Sequence, residues 1–359
     1  MSTAAEKAVV NERLAALRKG LEAAGAQALL VTNPPNVRYL SRFTSPADAV
    51  VLVLPGSAVL LTDGRYTAQA TEESVLPVEI VAGLDDAAVD RLAGAHLAVE
   101  ADHVTLARYR TLAGRLGYDP VPLEGAFTAL RLIKSDAEVA ALRRAARVTD
   151  LAFAEALKMM APGVREVEVA MRLEATMRLN GADGSAFDVI VASGPRGAMP
   201  HGAASQKPLA AGELVTLDFG AVVDGYHADM TRTVAIGEVG AEERRLYDAV
   251  LEAQVAALAA VAPGRTGREV DQVARDVLAK HGLEEYFTHS LGHGTGLVIH
   301  EEPRLSKKSD TVLQPGMIVT VEPGVYLPGF TGLRIEDLAV VTADGHEVLS
   351  KSPKEFIAL

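Results

Sequence analysis

The chain contains no cysteine. That absence removes disulfides, thiolate nucleophiles and Cys-based zinc sites together, so any metal here must be held by carboxylates and histidines. Basic charge is also short: 35 Lys+Arg stand against 47 Asp+Glu, a formal net charge of −12. Nucleic acid and anionic membrane surfaces need a basic footprint, so neither is expected as a partner. Long apolar runs are missing too. The longest, Val255 to Ala262 and Ala49 to Leu54, fall far short of the ~20 residues that span a bilayer. The opening stretch carries Glu6, Lys7, Glu12 and Arg13 and has no apolar core of signal-peptide length, so a cytoplasmic setting is the expectation.

What remains is an ordinary globular composition, 49% apolar and 23% charged, which excludes a disordered chain. At 359 residues the chain exceeds the roughly 250–300 at which single cores stop growing, so two domains are expected. Val10, Leu14, Leu17 and Leu21 recur at helical spacing and predict a helix ending near Gly25. Short β-type runs follow at Ala28–Val31, Val50–Leu54, Ala58–Thr62 and Val78–Val81, separated by turn clusters such as Asn33-Pro34-Pro35-Asn36. Residues 1–130 therefore read as a small α/β domain without a catalytic signature, with Asp63, Arg65 and Tyr66 in a surface turn. Ser135 and Glu138 form a capping box that opens a long helix with Val139, Leu142, Ala146, Phe153 and Leu157 inward, so the second domain is expected over 131–359.

The second domain contains an internal duplication. Ala161-Pro162-Gly163 begins a stretch reaching Gly181, and Ala262-Pro263-Gly264 begins one reaching Gly282, an offset of 101. Val169, Leu173 and Met177 align with Val270, Ala274 and Leu278 on one helical face, and Thr266 with Glu269 forms a capping box where the first copy has Arg165. The repeat continues into strands: residues 212–220 (GELVTLDFG) match 316–324 (GMIVTVEPG). Each half thus ends an apolar run with an acid, Asp218 or Glu322. An ionised acid on a strand buried on both faces is costly unless it is paired or bound to a metal.

Each acid has a partner. Asp218 and Asp229 lie symmetrically about residues 223/224, beside the turn Asp224-Gly225, and a hairpin centred there would set them opposite each other with Cβ atoms about 5 Å apart. Glu322 and Glu336 lie symmetrically about Gly329. Four carboxylates gathered from two hairpins would repel strongly without cations, and two divalent ions are the simple electrostatic solution. Histidines complete the set. His293 sits between Gly292 and Gly294, with His289 and His300 to either side, and His201 falls within two residues of His300 in the repeat register.

The ordered motifs are Leu217-Asp218-Phe-Gly, Asp229-Met-Thr231-Arg232-Thr233, Gly292-His293-Gly-Thr-Gly, Ile299-His300-Glu301, Val321-Glu322-Pro-Gly and Arg334-Ile-Glu336-Asp. Together they resemble the creatinase/aminopeptidase "pita-bread" metallopeptidases, and within them the proline-specific Xaa-Pro aminopeptidases and prolidases. The resemblance covers the whole chain. It implies an α/β creatinase-like N-terminal domain followed by an α+β pita-bread domain with pseudo-twofold duplication. It further implies a dinuclear centre held by Asp218, Asp229, His293, Glu322 and Glu336, with Asp229 and Glu336 bridging both ions. Manganese is the expected metal, and the sulfur-free donor set also admits Co²⁺, Zn²⁺ or Fe²⁺.

By the same resemblance, Glu322 shuttles a proton, His201 and His300 stabilise the tetrahedral species, and His289 shapes the leaving-proline pocket. Tyr326 occupies a position near the site, and Thr231 and Asp337 are candidates to orient ligands. Arg304 and Arg334 are both candidates to hold the free carboxylate of a Xaa-Pro dipeptide. The implied activity is metal-dependent hydrolysis of the bond between an N-terminal residue and proline in small peptides, by a homodimer, with dipeptides slightly favoured. A creatinase-like, metal-independent C–N hydrolase and a non-catalytic module on the same fold are the alternatives, and the five intact ligands argue against both.

Overall fold

The computed structural model describes residues 4–359. The chain divides into two compact units, Met1–Arg131 and Leu132–Leu359. In the first, the helix Ala4–Ala23 buries Val10, Leu14, Leu17 and Leu21, the spaced apolar positions of its sequence. A six-stranded sheet forms the centre. Ala28–Val31 pairs antiparallel with Ala49–Val53 and parallel with Leu97–Glu100. Ala58–Thr62 extends one side to Val78–Ile80, and Val121–Leu123 closes the other. The inner strands are buried at every position, which is why they read as continuous Val/Leu/Ala runs. Asp63 caps a short 3-10 turn over Gly64–Tyr66 whose Arg65 side chain is largely exposed, so this cluster is surface. Among the described residues no helix is long and apolar enough to cross a membrane.

The second unit opens with the helix Asp136–Leu157, where Glu138 accepts both the Ser135 N–H and the Ser135 hydroxyl. The duplication is structural as well as sequential. Helices Glu166–Leu179 and Gly267–Lys280 occupy matching places, and each start is stitched to the strand entry that follows it. Gly163 N donates to Leu209 O in one half, and Gly264 N to Leu313 O in the other. Thr266 and Glu269 exchange the full capping box. In the first copy Glu168 still accepts the Arg165 N–H, but a guanidinium has no lone pair to return.

Period-two alternation then decides where the acids point. Val215, Leu217 and Phe219 face the core of the first half, which turns Asp218 to the opposite face of Leu214–Phe219. Val319 and Val321 face the second core and turn Glu322 the other way.

One hairpin differs from its sequence expectation. Asp218 does not stand opposite Asp229; it pairs with Thr231, and Asp229 is its diagonal neighbour on the same face. The cause is the turn. Asp224 and Gly225 both have positive φ, 52° and 78°, and form a two-residue connection between Val223 and Tyr226. The hairpin centre therefore lies between residues 224 and 225, one position later than the symmetry of the two acids suggested. In the second hairpin, Gly324 pairs with Arg334 and Val321 with Asp337, and this register sets Glu322 across from Glu336.

Candidate metal centre

Asp229, His293 and Glu336 offer ligand atoms that all lie within 4.8 Å of one another, and all three residues are buried. His293 Nε2 is 3.5 Å from Asp229 Oδ2 and 3.4 Å from Glu322 Oε1. Asp218 completes the group, and its charge raises the pKa of Asp229, Glu322 and Glu336. The two glycines beside His293 leave no room for side chains. A Cβ on Gly292 would meet Thr320 O at 2.0 Å, and one on Gly294 would meet Glu302 O at 2.3 Å. Neighbouring strands thus press on the backbone at both sides of His293.

The tautomer follows from a hydrogen bond. His293 Nδ1 lies 3.0 Å from Gly294 O, which can only accept, so the proton sits on Nδ1 and the Nε2 lone pair faces the carboxylates. Burial pushes this imidazole down to about 3, the neutral form a metal needs. The acids move the other way. Burial, with the charges of Glu336 and Asp218, raises Asp229 well above the carboxylate range; burial and the charges of Glu322 and Asp218 do the same to Glu336. Burial pushes Glu322 up to about 8 against the pull of Arg334. Among the described residues, Asp218 Oδ1 and Glu336 Oε1 are buried with no hydrogen-bond partner. Crowded acids with unsatisfied buried oxygens beside a neutral imidazole fit divalent cations.

The surroundings orient these groups. Thr231 Oγ1 donates to Glu336 Oε2 at 2.8 Å and accepts from Arg334 Nε at 3.1 Å. Arg334 spends its other donors on Asp218, on Tyr326 Oη and, at 3.4 Å, on Pro200 O. Its guanidinium is buried and committed to a candidate ligand, so the geometry gives it orienting work in place of the substrate carboxylate considered from sequence. Tyr326 Oη lies 2.9 Å from His289 Nε2, and His289 Nδ1 lies 2.8 Å from Ser290 O. The phenol therefore donates to His289 while it accepts from Arg334. Burial and Arg334 hold His289 down at about 4. Asp337 points away from the acids. Burial alone would raise it, but Arg232 and Lys354 hold it ionised below the usual range, with Arg232 Nη2 at 2.7 Å. Arg232 also donates to the backbone carbonyls of Thr231 and Glu336, so the pair braces the strand behind the centre.

Three further candidates gather at one side. The His300 ring meets that of His293 edge-on at 4.4 Å between centroids. Burial, Arg304 and His201 all disfavour its protonation. Arg304 is the direct cross-strand partner of His293, and among the described residues its guanidinium has no hydrogen bond or ion pair. His201 sits exposed on the loop after the 3-10 turn Gly194–Ala198, near enough to His289 and His300 to affect both electrostatically.

Sequence reasoning missed the buried groups that hold these loops. Asp271 pairs with Arg275 at 2.7 Å and accepts the Leu291 N–H at 3.0 Å. Arg275 in turn donates to Phe287 O and, at 2.7 Å, to His289 O. A signal existed: an Asp and an Arg at i, i+4 share the helix face that carries Val270, Ala274 and Leu278. Lys134 and Glu301 form another nearly buried pair at 3.3 Å, immediately after His300. Glu166 is a third, fully buried and saturated with donors.

The pattern of metallopeptidase family M24 matches residues 140–343, and that of the creatinase/prolidase N-terminal domain matches residues 13–133. A Xaa-Pro dipeptidase from Pyrococcus horikoshii is 36% identical over 351 residues, covering 97% of this chain and 99% of its own. The solved structure of a Xaa-Pro dipeptidase from Bacillus anthracis superposes with a TM-score of 0.94 at 44% identity, covering 98% of this chain and all of that one. An X-Pro aminopeptidase from Thermotoga maritima superposes at 0.88 with 36% identity, covering 95% of this chain and all of its own.

Proposed function

Because the chain belongs to metallopeptidase family M24, with a creatinase-type domain ahead of a pita-bread catalytic domain, we propose that it is a divalent-metal-dependent exopeptidase that cleaves between an N-terminal residue and a following proline, Xaa-Pro dipeptides being preferred. The observation that carries the reading is the group of four carboxylates and one imidazole with two buried oxygens that no hydrogen bond satisfies.

Asp218, Asp229, His293, Glu322 and Glu336 would hold two ions. Manganese is the proposed occupant; an oxygen-rich, sulfur-free donor set supports it. When bound, such ions supply Lewis acidity for the scissile carbonyl and make water acidic enough to ionise near neutral pH.

The chain's own residues do the rest. Glu322, whose side chain is the least buried of the five at 15% exposure, takes a proton from the attacking water and passes it to the leaving proline nitrogen. His300, kept neutral by burial and Arg304, and His201 face the tetrahedral species. His289, fixed through Tyr326 and Ser290, lines the pocket for proline. Arg304, cross-strand from His293 and unpaired among the described residues, receives the dipeptide carboxylate. The family resemblance also supports a homodimer acting on small peptides in the cytoplasm.

Hydrolysis of Ala-Pro against Ala-Pro-Ala by the Mn²⁺-loaded protein tests the reading. Turnover of both, with Ala-Pro ahead, is the expected result. Preference for the tripeptide would favour the aminopeptidase, and hydrolysis of neither would refute both.

A further inference from the structure

His201 stands on a loop, not on a strand, and it is exposed. Loop tips sample many conformations, whereas a catalytic imidazole must be held within about 0.5 Å of its working pose. Something has to constrain this loop. One buried side chain does so at both feet.

Glu166 opens the helix Glu166–Leu179 and is 0% exposed. Its Oε1 accepts the Ser193 N–H and the Ser193 hydroxyl, both at 2.8 Å. Its Oε2 accepts the Ser205 N–H at 3.0 Å, the Ser205 hydroxyl at 2.6 Å and Arg196 Nε at 3.0 Å. Residues 193 and 205 are the two ends of the segment that carries His201. Arg196 then donates to Ala203 O at 2.6 Å, a strut across the loop. On its far side the loop lies against the strand Thr331–Arg334, where a Cβ on Gly332 would meet Gly197 O at 2.3 Å. Burial by itself would raise the Glu166 carboxyl, but the hydrogen bonds from Ser205 and Ser193 and the charge of Arg196 keep it below the usual range. All five donors therefore meet an ionised acceptor. None of the five candidate metal ligands is among these partners.

We propose that Glu166 is a positioning residue: by tying both feet of the 193–205 loop to one carboxylate, it holds His201 in place beside His289 and His300. The proposal rests on the peptidase reading for the chemistry His201 performs, but not for the geometry. A glutamine at this position would turn an NH₂ group toward donors that need an acceptor, and one foot would come loose.

The test is a double-mutant cycle in the full, divalent-loaded chain, with Glu166→Gln, His201→Ala and both together. kcat and KM for Ala-Pro and metal content are measured on each, and the His201 ring NMR signal is compared, in the Zn²⁺-loaded protein, between the wild type and Glu166→Gln. Glu166→Gln should lower kcat by ~10–100-fold, the scale at which a small misplacement costs rate, with metal content unchanged. In the His201→Ala background the same change should cost less than about 2-fold, because only coupled groups are non-additive. The His201 signal should broaden or split in Glu166→Gln. An equal loss in both backgrounds, or wild-type kcat in Glu166→Gln, overturns the proposal. If Glu166→Gln does not fold, Ser205→Ala, which removes one hydroxyl at one foot, takes its place in the cycle. If the wild-type chain does not hydrolyse Ala-Pro at all, the peptidase reading fails, and the NMR signal alone decides. An unchanged His201 signal then overturns the positioning role, and a changed one upholds it.

Discussion

His293 and Arg304 are direct cross-strand partners, so the one imidazole of the candidate metal centre and a guanidinium unpaired among the described residues project from the same face of a two-stranded ribbon. A Xaa-Pro dipeptide carries its carboxylate on the proline itself, while a longer peptide presents a neutral amide there. Arg304→Ala should weaken Ala-Pro turnover by ~10–100-fold, the roughly 1.5–3 kcal/mol of a charged hydrogen bond, and Ala-Pro-Ala much less. Arg304→Lys should rescue only in part, since an ammonium lacks the two-pronged geometry. Equal losses on both substrates would mean that Arg304 supports the site without reading the carboxylate.

The acids of the centre differ in what each holds. Asp218 is already engaged by Arg334, whereas Asp229 lies within ligand distance of both His293 and Glu336. Asp229→Ala should abolish activity and lower the number of bound ions more than Asp218→Ala does. Elemental analysis of the two variants decides; full metal content in Asp229→Ala would rule out a shared ligand.

Asp337 and Arg232 form an ion pair in which both side chains are 2% exposed, and the pair braces the Glu336 backbone. Removing one partner strands the other charge in the interior, so Asp337→Asn should cost about 3–5 kcal/mol of stability at neutral pH. Chemical denaturation of the second unit measures it. A cost under about 1 kcal/mol, the range of surface pairs, would show that the pair is solvated in practice.

Glu166 gives a pH dependence of known sign. Its folded pKa lies below the ordinary carboxylate value, so its contribution to stability is fully present above that value and is lost as pH falls through the lowered one. Glu166→Gln should therefore melt well below the wild type at pH 7, and the gap in Tm should close as the pH drops below about 4, where an ordinary carboxylate takes up its proton. A gap that is constant with pH would mean that charge at Glu166 is irrelevant.

Much of this was legible in the sequence, for reasons that particular residues make plain. The acids Asp218 and Glu322 stood out because each breaks an apolar run at the same place in two copies of one pattern. The second hairpin read correctly because its turn is centred on Gly329, midway between Glu322 and Glu336. In the first, centring on the acids instead of on the two positive-φ residues misplaced Asp229 by two positions along its strand. Val121–Leu123 left no signal, being three residues with a proline inside. Leu97–Glu100 ends in a buried acid whose partners, Thr32, Asn33 and Asn36, lie more than sixty residues away. Glu166 was invisible for the same reason. Its meaning depends on Ser193 and Ser205, 27 and 39 residues downstream, and no local pattern announces such a tie.

The most direct test counts ions and turnover together. Chelated protein is titrated with Mn²⁺ while bound metal and Ala-Pro hydrolysis are followed in the same sample. Two ions bound per chain, with hydrolysis absent before the first and restored by the end of the titration, is the expected result. Undiminished hydrolysis in the fully chelated chain would contradict a metal-dependent peptidase built on Asp218, Asp229, His293, Glu322 and Glu336.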